Sequence, residues 1–215
     1  MFKTILLDFD GTVFATGEGI VNSVRYALAK LGIQAELSDL YCFCGPPLAD
    51  MFMEKYGMDR DTALKAVAYY RERYSVSGWK ECKVYPGIRE MTRRLRAQGR
   101  KVAVATSKPT SYALKIMAQL NMDRDFDLVM GAEFDGTRSE KWEVIAAAMD
   151  ALGADKDTTV MVGDRKYDVI GAHRCGIPCI GVRYGYAEPG EFESAGADFV
   201  VDEAEELCKL IESKG

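Results

Sequence analysis

The sequence predicts an α/β fold in which a mostly parallel sheet has helices on both faces and a small all-helical segment follows the first strand. Short β-rich runs alternate with helical patterns along most of the 215 residues, which is typical of βαβ units. Between Val13 and about Val84 only helical patterns occur. The hydrophobic share of 48% is enough for one large core, or for a core with a smaller satellite.

Six runs rich in β-branched and small apolar residues are predicted as strands. They are Thr4 to Phe9, Lys101 to Thr106, Phe126 to Met130, Thr158 to Val162, Pro178 to Val182 and Asp198 to Val201. Five helices are predicted between and after them: Gly87 to Gln98, Thr110 to Leu120, Glu140 to Leu152, Asp168 to Cys175 and Glu203 to Ile211. In such sheets, ligands bind beyond the carboxyl ends of the strands.

The interval after the first strand is predicted to contain three helices. They span Gly19 to Leu31, Pro47 to Tyr56 and Arg60 to Ser77. Tyr85-Pro86-Gly87 marks the return to the sheet, since proline and glycine end one element and open another. We therefore predict an α/β core formed by residues 1–14 and 84–215, and a separate helical domain formed by residues 15–83.

Composition narrows the range of partners. The net charge is −5 and no long basic block occurs, so a small-molecule substrate is favoured over a nucleic acid polymer. The six cysteines form neither a CxxC pair nor a zinc pattern. No apolar stretch is long enough for a membrane helix. We expect a soluble, reduced, cytoplasmic protein with no membrane partner, as a monomer or a weak homodimer.

The segment Asp8-Phe9-Asp10-Gly11-Thr12 follows the apolar run Ile5-Leu6-Leu7. Because strand side chains alternate with a period of two, Asp8 and Asp10 are expected to project from the strand tip in the same direction. Gly11 allows the backbone to turn sharply behind them. Two carboxylates in this arrangement suit covalent phosphoryl chemistry.

Three further motifs lie where the alternating fold places a site. Thr106-Ser107 follows an apolar strand, Lys141 opens a helix, and Gly163-Asp164 ends another strand with Asp168 four residues later. Each motif alone has an ordinary structural explanation. Asp-x-Asp-Gly is often a turn or a helix cap, Thr-Ser an N-cap, and a lysine a solvated side chain. Their order and their strand contexts favour a shared active site.

In this order the four motifs resemble the haloacid dehalogenase superfamily of hydrolases, over essentially the whole chain. The resemblance implies a Rossmann-like core, and the helical insert looks like the first type of cap domain in that superfamily. Three segments look like the phosphoglycolate phosphatase branch and its 5′-nucleotidase-like relatives. They are Gly45-Pro46-Pro47-Leu48, Thr106-Ser107-Lys108-Pro109 and Gly163-Asp164-Arg165-Lys166-Tyr167-Asp168.

The residue chemistry suggests a role for each core motif. Asp8 is ionised at neutral pH and is the expected nucleophile, giving an aspartyl-phosphate. Asp10, beside a second carboxylate, is expected to hold and move a proton, and the resemblance implies the same two roles. The phosphate contacts are expected from Thr106 and Ser107 through a hydroxyl and a backbone N–H, from Gly11, and from Lys141 as a point charge.

Mg²⁺ prefers oxygen ligands, including a few carboxylates. Asp8 and Asp164 are the expected side-chain ligands, and the resemblance adds the backbone carbonyl of Asp10. Asp168 either joins them or orients a metal-bound water, and we favour the water-orienting role. In the helical insert, Arg25, Gly45 and Pro46 are possible substrate contacts. A solvated side chain is favoured over a substrate contact for Arg25, and a simple turn before a helix explains Gly45 and Pro46 equally well.

The expected function is a Mg²⁺-dependent phosphatase acting on a small phosphorylated metabolite. Resemblance makes phosphoglycolate the leading substrate and a nucleoside 5′-monophosphate the alternative. Asp10 argues against a dehalogenase, which does not need a second acid/base carboxylate. A sugar-phosphate mutase is disfavoured because mutases with this type of cap usually carry a histidine in the cap, and residues 11 to 80 contain none. A non-catalytic binding module is disfavoured by the complete set of motifs.

Overall fold

The computed structural model describes residues 1–214, which divide into two compact units. The first, here the core unit, comprises Met1–Ala15 and the chain from Val84 onward. The second, here the helical unit, comprises Thr16–Lys83. Within the described residues, none of the helices combines the length and the apolar character needed to cross a bilayer.

The core unit is built on a six-stranded sheet. Its strands are β1 Thr4–Leu7, β4 Lys101–Pro109, β5 Leu128–Ala132, β6 Thr159–Gly163, β7 Cys179–Val182 and β8 Phe199–Val201. They lie in the order β5-β4-β1-β6-β7-β8, and the paired strands run parallel. The predicted fold class, a mostly parallel sheet surrounded by helices, is confirmed.

The central position of β1 explains why Asp8 lies between two other strand ends. All four residues of β1 are buried, as expected for a strand with neighbours on both sides and helices over both faces. Leu7 pairs with Val104 of β4 and with Val162 of β6. Asp8 is the next residue, and its amide donates to the Val162 carbonyl at 2.8 Å.

Among the described residues, six α-helices belong to the core unit. They are α4 Ile88–Ala97, α5 Thr110–Gln119, α6 Lys141–Leu152, α7 Lys166–Arg174, α8 Glu191–Ala195 and α9 Ala204–Ser213. Val144 and Ile145 of α6 and Val169 of α7 pack with Met161 of β6 in one buried cluster. This packing fixes the first turns of α6 and α7, which carry Lys141 and Asp168.

Some element boundaries differ from the sequence prediction. β4 continues three residues beyond the predicted end at Thr106, to Pro109, with an irregular register between Thr106 and Pro109, so Ser107 lies within a strand and not after it. The polar residues 107 and 108 gave no strand signal. α8 was not predicted because five residues are too few to show helical periodicity.

The helical unit contains α1 Gly17–Lys30, α2 Leu48–Tyr56 and α3 Arg60–Tyr74. The Asp59 carboxylate caps α3 by accepting from the Thr62 amide at 2.7 Å, which satisfies one free N–H of the first turn. α1 packs against α3. The three predicted helices are all present, although α3 ends three residues before Ser77.

Two short strands also lie in the interval where the sequence predicted none. β2, Phe14–Ala15, and β3, Lys83–Val84, form a two-stranded sheet. Next to it, the Tyr85 amide donates to the Val13 carbonyl at 3.1 Å. Strands of two residues show no alternation of polar and apolar side chains, so the sequence pattern could not reveal them.

Candidate active site

Asp8 is buried at the carboxyl end of β1, with 8% of its surface exposed. Its Oδ1 accepts a hydrogen bond from Lys141 Nζ at 2.6 Å. Within residues 1–214, its Oδ2 accepts no hydrogen bond. One oxygen is thus held by an ammonium group while the other is available for bond formation.

Lys141 is positioned by the loop that precedes α6. Arg138, at a left-handed φ of 57°, donates to the Gly131 carbonyl at 2.9 Å and to Glu133 at 2.7 Å. The Glu140 amide donates to the Glu143 carboxylate at 3.0 Å, forming one half of a capping box. The helix therefore begins at Lys141, as the sequence predicted.

A second helix passes close to the Lys141 side chain. At Gly171 of α7, an added Cβ would lie 2.9 Å from Lys141 Cγ, which is closer than real Cβ atoms approach. The glycine thus leaves room for the lysine to extend to Asp8. Lys141 Nζ also lies 2.7 Å from Asp168 Oδ1, so the two carboxylates hold the ammonium group from two sides.

Asp8, Asp164 and Asp168 form a buried acidic cluster. One oxygen from each lies within 4.8 Å of the others, and Asp164 is completely buried. Both Asp168 oxygens are engaged, Oδ1 by Lys141 and Oδ2 by the Arg165 amide at 3.0 Å. This supports a positioning role for Asp168 more than a role as a direct metal ligand.

Burial and the charges of neighbouring groups together shift the pKa values of this cluster. Burial raises the pKa of Asp8 to about 6, although Lys141 opposes the shift. Burial, together with the charges of Asp168 and Asp8, raises the pKa of Asp164 well above its usual value. The same two carboxylates raise the pKa of Lys141, overcoming the effect of burial.

Three carboxylates and one ammonium group leave two negative charges if all are ionised. A divalent cation would neutralise this excess, and oxygen donors are the ligands that Mg²⁺ prefers. The donor set therefore fits Mg²⁺. The Asp10 side chain is not part of the cluster, so any contribution from Asp10 would come from its backbone carbonyl.

Asp10 has a partner that the sequence did not reveal. Lys108 Nζ donates to both Asp10 oxygens, at 2.8 and 2.9 Å, and the lysine side chain is 6% exposed. We expected a second carboxylate beside Asp10 to favour its protonated form. The structure instead places an ammonium group on it. Lys108 lies 98 positions away, and although it belongs to a recognised motif, nothing in that motif indicated the pairing.

The phosphate-binding candidates differ in their surroundings. Thr106 is buried, and its hydroxyl accepts from the Lys108 amide at 3.1 Å. Ser107 is exposed. Thr106 lies two residues beyond Val104, the partner of Leu7, which brings it beside the Asp8 segment. Gly11 has a left-handed φ of 81°, and an added Cβ would lie 1.9 Å from Asp164 Oδ2, so this glycine makes room for Asp164.

Three predicted substrate contacts belong to the helical unit, whereas the core motifs belong to the core unit. Arg25 is exposed on α1, Gly45 is exposed, and Pro46 is buried. Asn22, one turn before Arg25, donates to Glu81 at 3.1 Å and so belongs to a polar cluster within that unit. The structure gathers the core motifs into one site, and a substrate contact by Arg25, Gly45 or Pro46 stays a prediction.

Comparison with known proteins places this site in a family. The family model described as haloacid dehalogenase-like hydrolase matches residues 5–182. This span includes Asp8, Asp10, Thr106, Lys141, Asp164 and Asp168.

Individual proteins match along nearly the full length. A 5′-nucleotidase from Pseudomonas aeruginosa is 40% identical, covering 99% of this chain and 96% of its own. A plasmid-encoded phosphoglycolate phosphatase from Cupriavidus necator is 31% identical, covering 96% and 92%. A crystal structure described as a predicted phosphatase from Clostridium acetobutylicum has a TM-score of 0.94 at 42% identity, covering 99% of both chains.

Proposed function

Because the chain belongs to the haloacid dehalogenase-like hydrolases and is a phosphoric monoester hydrolase, we propose that it hydrolyses a small phosphomonoester in a Mg²⁺-dependent reaction through an aspartyl-phosphate on Asp8. One observation carries this proposal. Lys141 holds Oδ1 of Asp8 at 2.6 Å, whereas Oδ2 has no donor among the described residues and is suitable for attack on phosphorus.

In the first step, an Asp8 oxygen attacks phosphorus and the bond to the leaving oxygen breaks. Asp10 must enter this step protonated: it gives its proton to that oxygen, which leaves as an alcohol, and the resulting Asp10 carboxylate is held by Lys108. In the second step, water attacks phosphorus and gives a proton to Asp10. The bond from phosphorus to Asp8 then breaks, which restores the carboxylate and releases phosphate.

The remaining groups position the reactants and balance charge. Lys141 neutralises Asp8 and the transferring group, while Thr106 and Ser107 bind phosphoryl oxygens. Lys108 orients the Asp10 carboxylate through its two hydrogen bonds. Asp8 and Asp164 would hold Mg²⁺, together with the Asp10 carbonyl. When bound, Mg²⁺ supplies positive charge to a phosphoryl oxygen.

The helical unit is proposed to be the cap domain that excludes bulk water during the reaction. Two substrate classes are supported. The motifs in residues 45–48, 106–109 and 163–168 resemble both classes of enzyme. Phosphoglycolate is supported by a 31% identical relative that is a phosphoglycolate phosphatase. The higher identity to a 5′-nucleotidase, 40%, favours a nucleoside 5′-monophosphate. We therefore expect nucleoside monophosphates and phosphoglycolate to rank above sugar phosphates and pyrophosphate.

A substrate panel tests this ranking through kcat/KM for each compound. A preference of about tenfold or more for either class would identify the substrate chemistry. A sugar phosphate or pyrophosphate at the top of the ranking would contradict the proposed substrate class. Phosphatase activity as such would still stand.

A substitution tests the nucleophile. Asp8→Asn should abolish phosphate release, because an amide is not a nucleophile at phosphorus under these conditions. Asp150→Asn, at an exposed position on α6, is the matched control and should keep full activity. EDTA should also abolish release by the unaltered protein, and added Mg²⁺ should restore it. Full activity in Asp8→Asn or in EDTA would overturn the mechanism.

A further inference from the structure

The loop after β7 approaches the most deeply buried carboxylate of the site. The Tyr186 amide donates to Asp164 Oδ2 at 2.8 Å. Asp164 has no exposed surface, so the rotamer of this carboxylate depends on such contacts. None of the four motifs includes the segment 184–186, here called the clamp.

Gly185 allows the clamp to lie directly on Asp164. An added Cβ at this position would lie 2.3 Å from Asp164 Cβ, and 2.5 Å from both Asp164 Oδ2 and the Gly11 carbonyl. Gly11 makes a similar close approach to Asp164 Oδ2 from the nucleophile segment. The carboxylate is therefore enclosed by glycines from two segments that are far apart in the chain.

Tyr184 joins the clamp to the nucleophile segment. Its hydroxyl donates to the Thr12 carbonyl at 3.0 Å, and the Thr12 hydroxyl lies 3.4 Å from Asp164 Oδ1. The Tyr184 ring also packs on Tyr85, with centroids 4.8 Å apart. Burial raises the pKa of the Tyr184 phenol, so it remains a hydrogen-bond donor across the physiological pH range.

We propose that the clamp fixes Asp164 relative to Asp8 and so sets the affinity for Mg²⁺, with Tyr184 as a positioning residue. The inference rests on the proposed function, in which Asp8 and Asp164 hold the ion. Mg²⁺ demands near-ideal geometry, so a small displacement of one carboxylate weakens binding. Removing hydrogen bonds that orient metal ligands typically lowers metal affinity 10–100-fold.

The test is Mg²⁺ titration of the metal-free protein by calorimetry. Tyr184→Phe should weaken Mg²⁺ binding about tenfold, and Gly185→Ala should weaken it more. The Mg²⁺ concentration for half-maximal activity should rise by the same factor, while kcat at saturating Mg²⁺ stays within about twofold in Tyr184→Phe. Tyr26→Phe is the control, because it removes a hydroxyl that donates to Glu72 at 3.1 Å within the helical unit.

Thermal unfolding in EDTA shows whether each variant is folded. If Gly185→Ala does not fold, the Mg²⁺ affinity of Tyr184→Phe alone tests the proposal. A folded Tyr184→Phe protein with unchanged Mg²⁺ affinity would overturn the clamp and leave the proposed function intact. Absence of Mg²⁺ binding by the unaltered protein would instead overturn the proposed metal dependence, and the clamp with it.

Discussion

The pairing of Lys108 with Asp10 has a consequence that mutagenesis can measure. Lys108→Met would remove the two hydrogen bonds from Nζ that orient the Asp10 carboxylate, so this carboxylate would be less well aligned with the leaving oxygen. Since positioned acid/base catalysis contributes about 10²–10⁴-fold, we expect kcat/KM to fall by about 10²-fold. Steady-state kinetics on one phosphomonoester measures the change.

Two variants make this experiment decisive. Lys156→Met, at an exposed site, should leave kcat/KM unchanged, and Lys108→Arg should recover part of the lost rate because it restores a cation. A Lys108→Met protein with the activity of the unaltered protein would show that the pair has no role in catalysis.

At the scale of single residues, the sequence predicts which side chains come together better than it predicts individual hydrogen bonds. The structure brings Asp8, Asp164, Asp168 and Lys141 together, because each lies at the end or in the first turn of an element at the same edge of the sheet. The contact of Lys108 with Asp10 could not be predicted from the sequence, since it depends on the irregular register at the end of β4.

At the scale of elements, Glu191 connects the unpredicted helix α8 to the start of α7. Its carboxylate accepts from the Lys166 amide at 2.6 Å and from Arg165 Nε at 3.0 Å. Burial acts to raise the pKa of Glu191, but the hydrogen bonds from Lys166 and Arg165 outweigh it and lower the pKa. Glu191 thus supports the helix that carries Asp168.

Glu191→Gln should therefore destabilise the protein by about 2 kcal/mol at pH 7, which is typical for hydrogen bonds to a charged group. Because the folded-state pKa is lowered, the carboxylate stabilises the protein above its unfolded-state pKa, and this stabilisation is lost as the pH falls through the folded-state pKa. Urea unfolding of both proteins at pH 7 and at progressively lower pH measures this difference in the free energy of unfolding.

The control for this pH dependence is Glu90→Gln, at an exposed position on α4, which should change stability little at any pH. A destabilisation by Glu191→Gln that stays constant into strong acid would contradict the assigned role of the carboxylate. It would point to packing of the side chain instead.

The accuracy with which the sequence predicts an element differs among the strands. β1 is an uninterrupted apolar run, and its burial by neighbours on both sides leaves little ambiguity. The end of β4 and the strands β2 and β3 were missed because polar residues or a length of two give no periodic signal. Tertiary pairing, not local preference, makes these segments extended.

At the scale of the whole molecule, the alternation of strands and helices predicts the core unit, and the loss of alternation marks the helical unit. The core motifs can be recognised in the sequence because their carboxylates and lysine lie at strand and helix ends of one sheet. The substrate cannot be predicted in this way, since the proposed substrate contacts Arg25, Gly45 and Pro46 carry no pattern specific to one ligand.

The proposed mechanism depends on transfer of the phosphoryl group to Asp8, which forms an aspartyl-phosphate. To detect this intermediate directly, the protein is mixed with Mg²⁺ and excess substrate and quenched in acid within the first turnover. Its peptides are then mapped by mass spectrometry. We predict one phosphoryl group on the peptide containing Asp8, and none in Asp8→Asn. Phosphate release without any phosphorylated Asp8 peptide, or a phosphoryl group on a different residue, would contradict it.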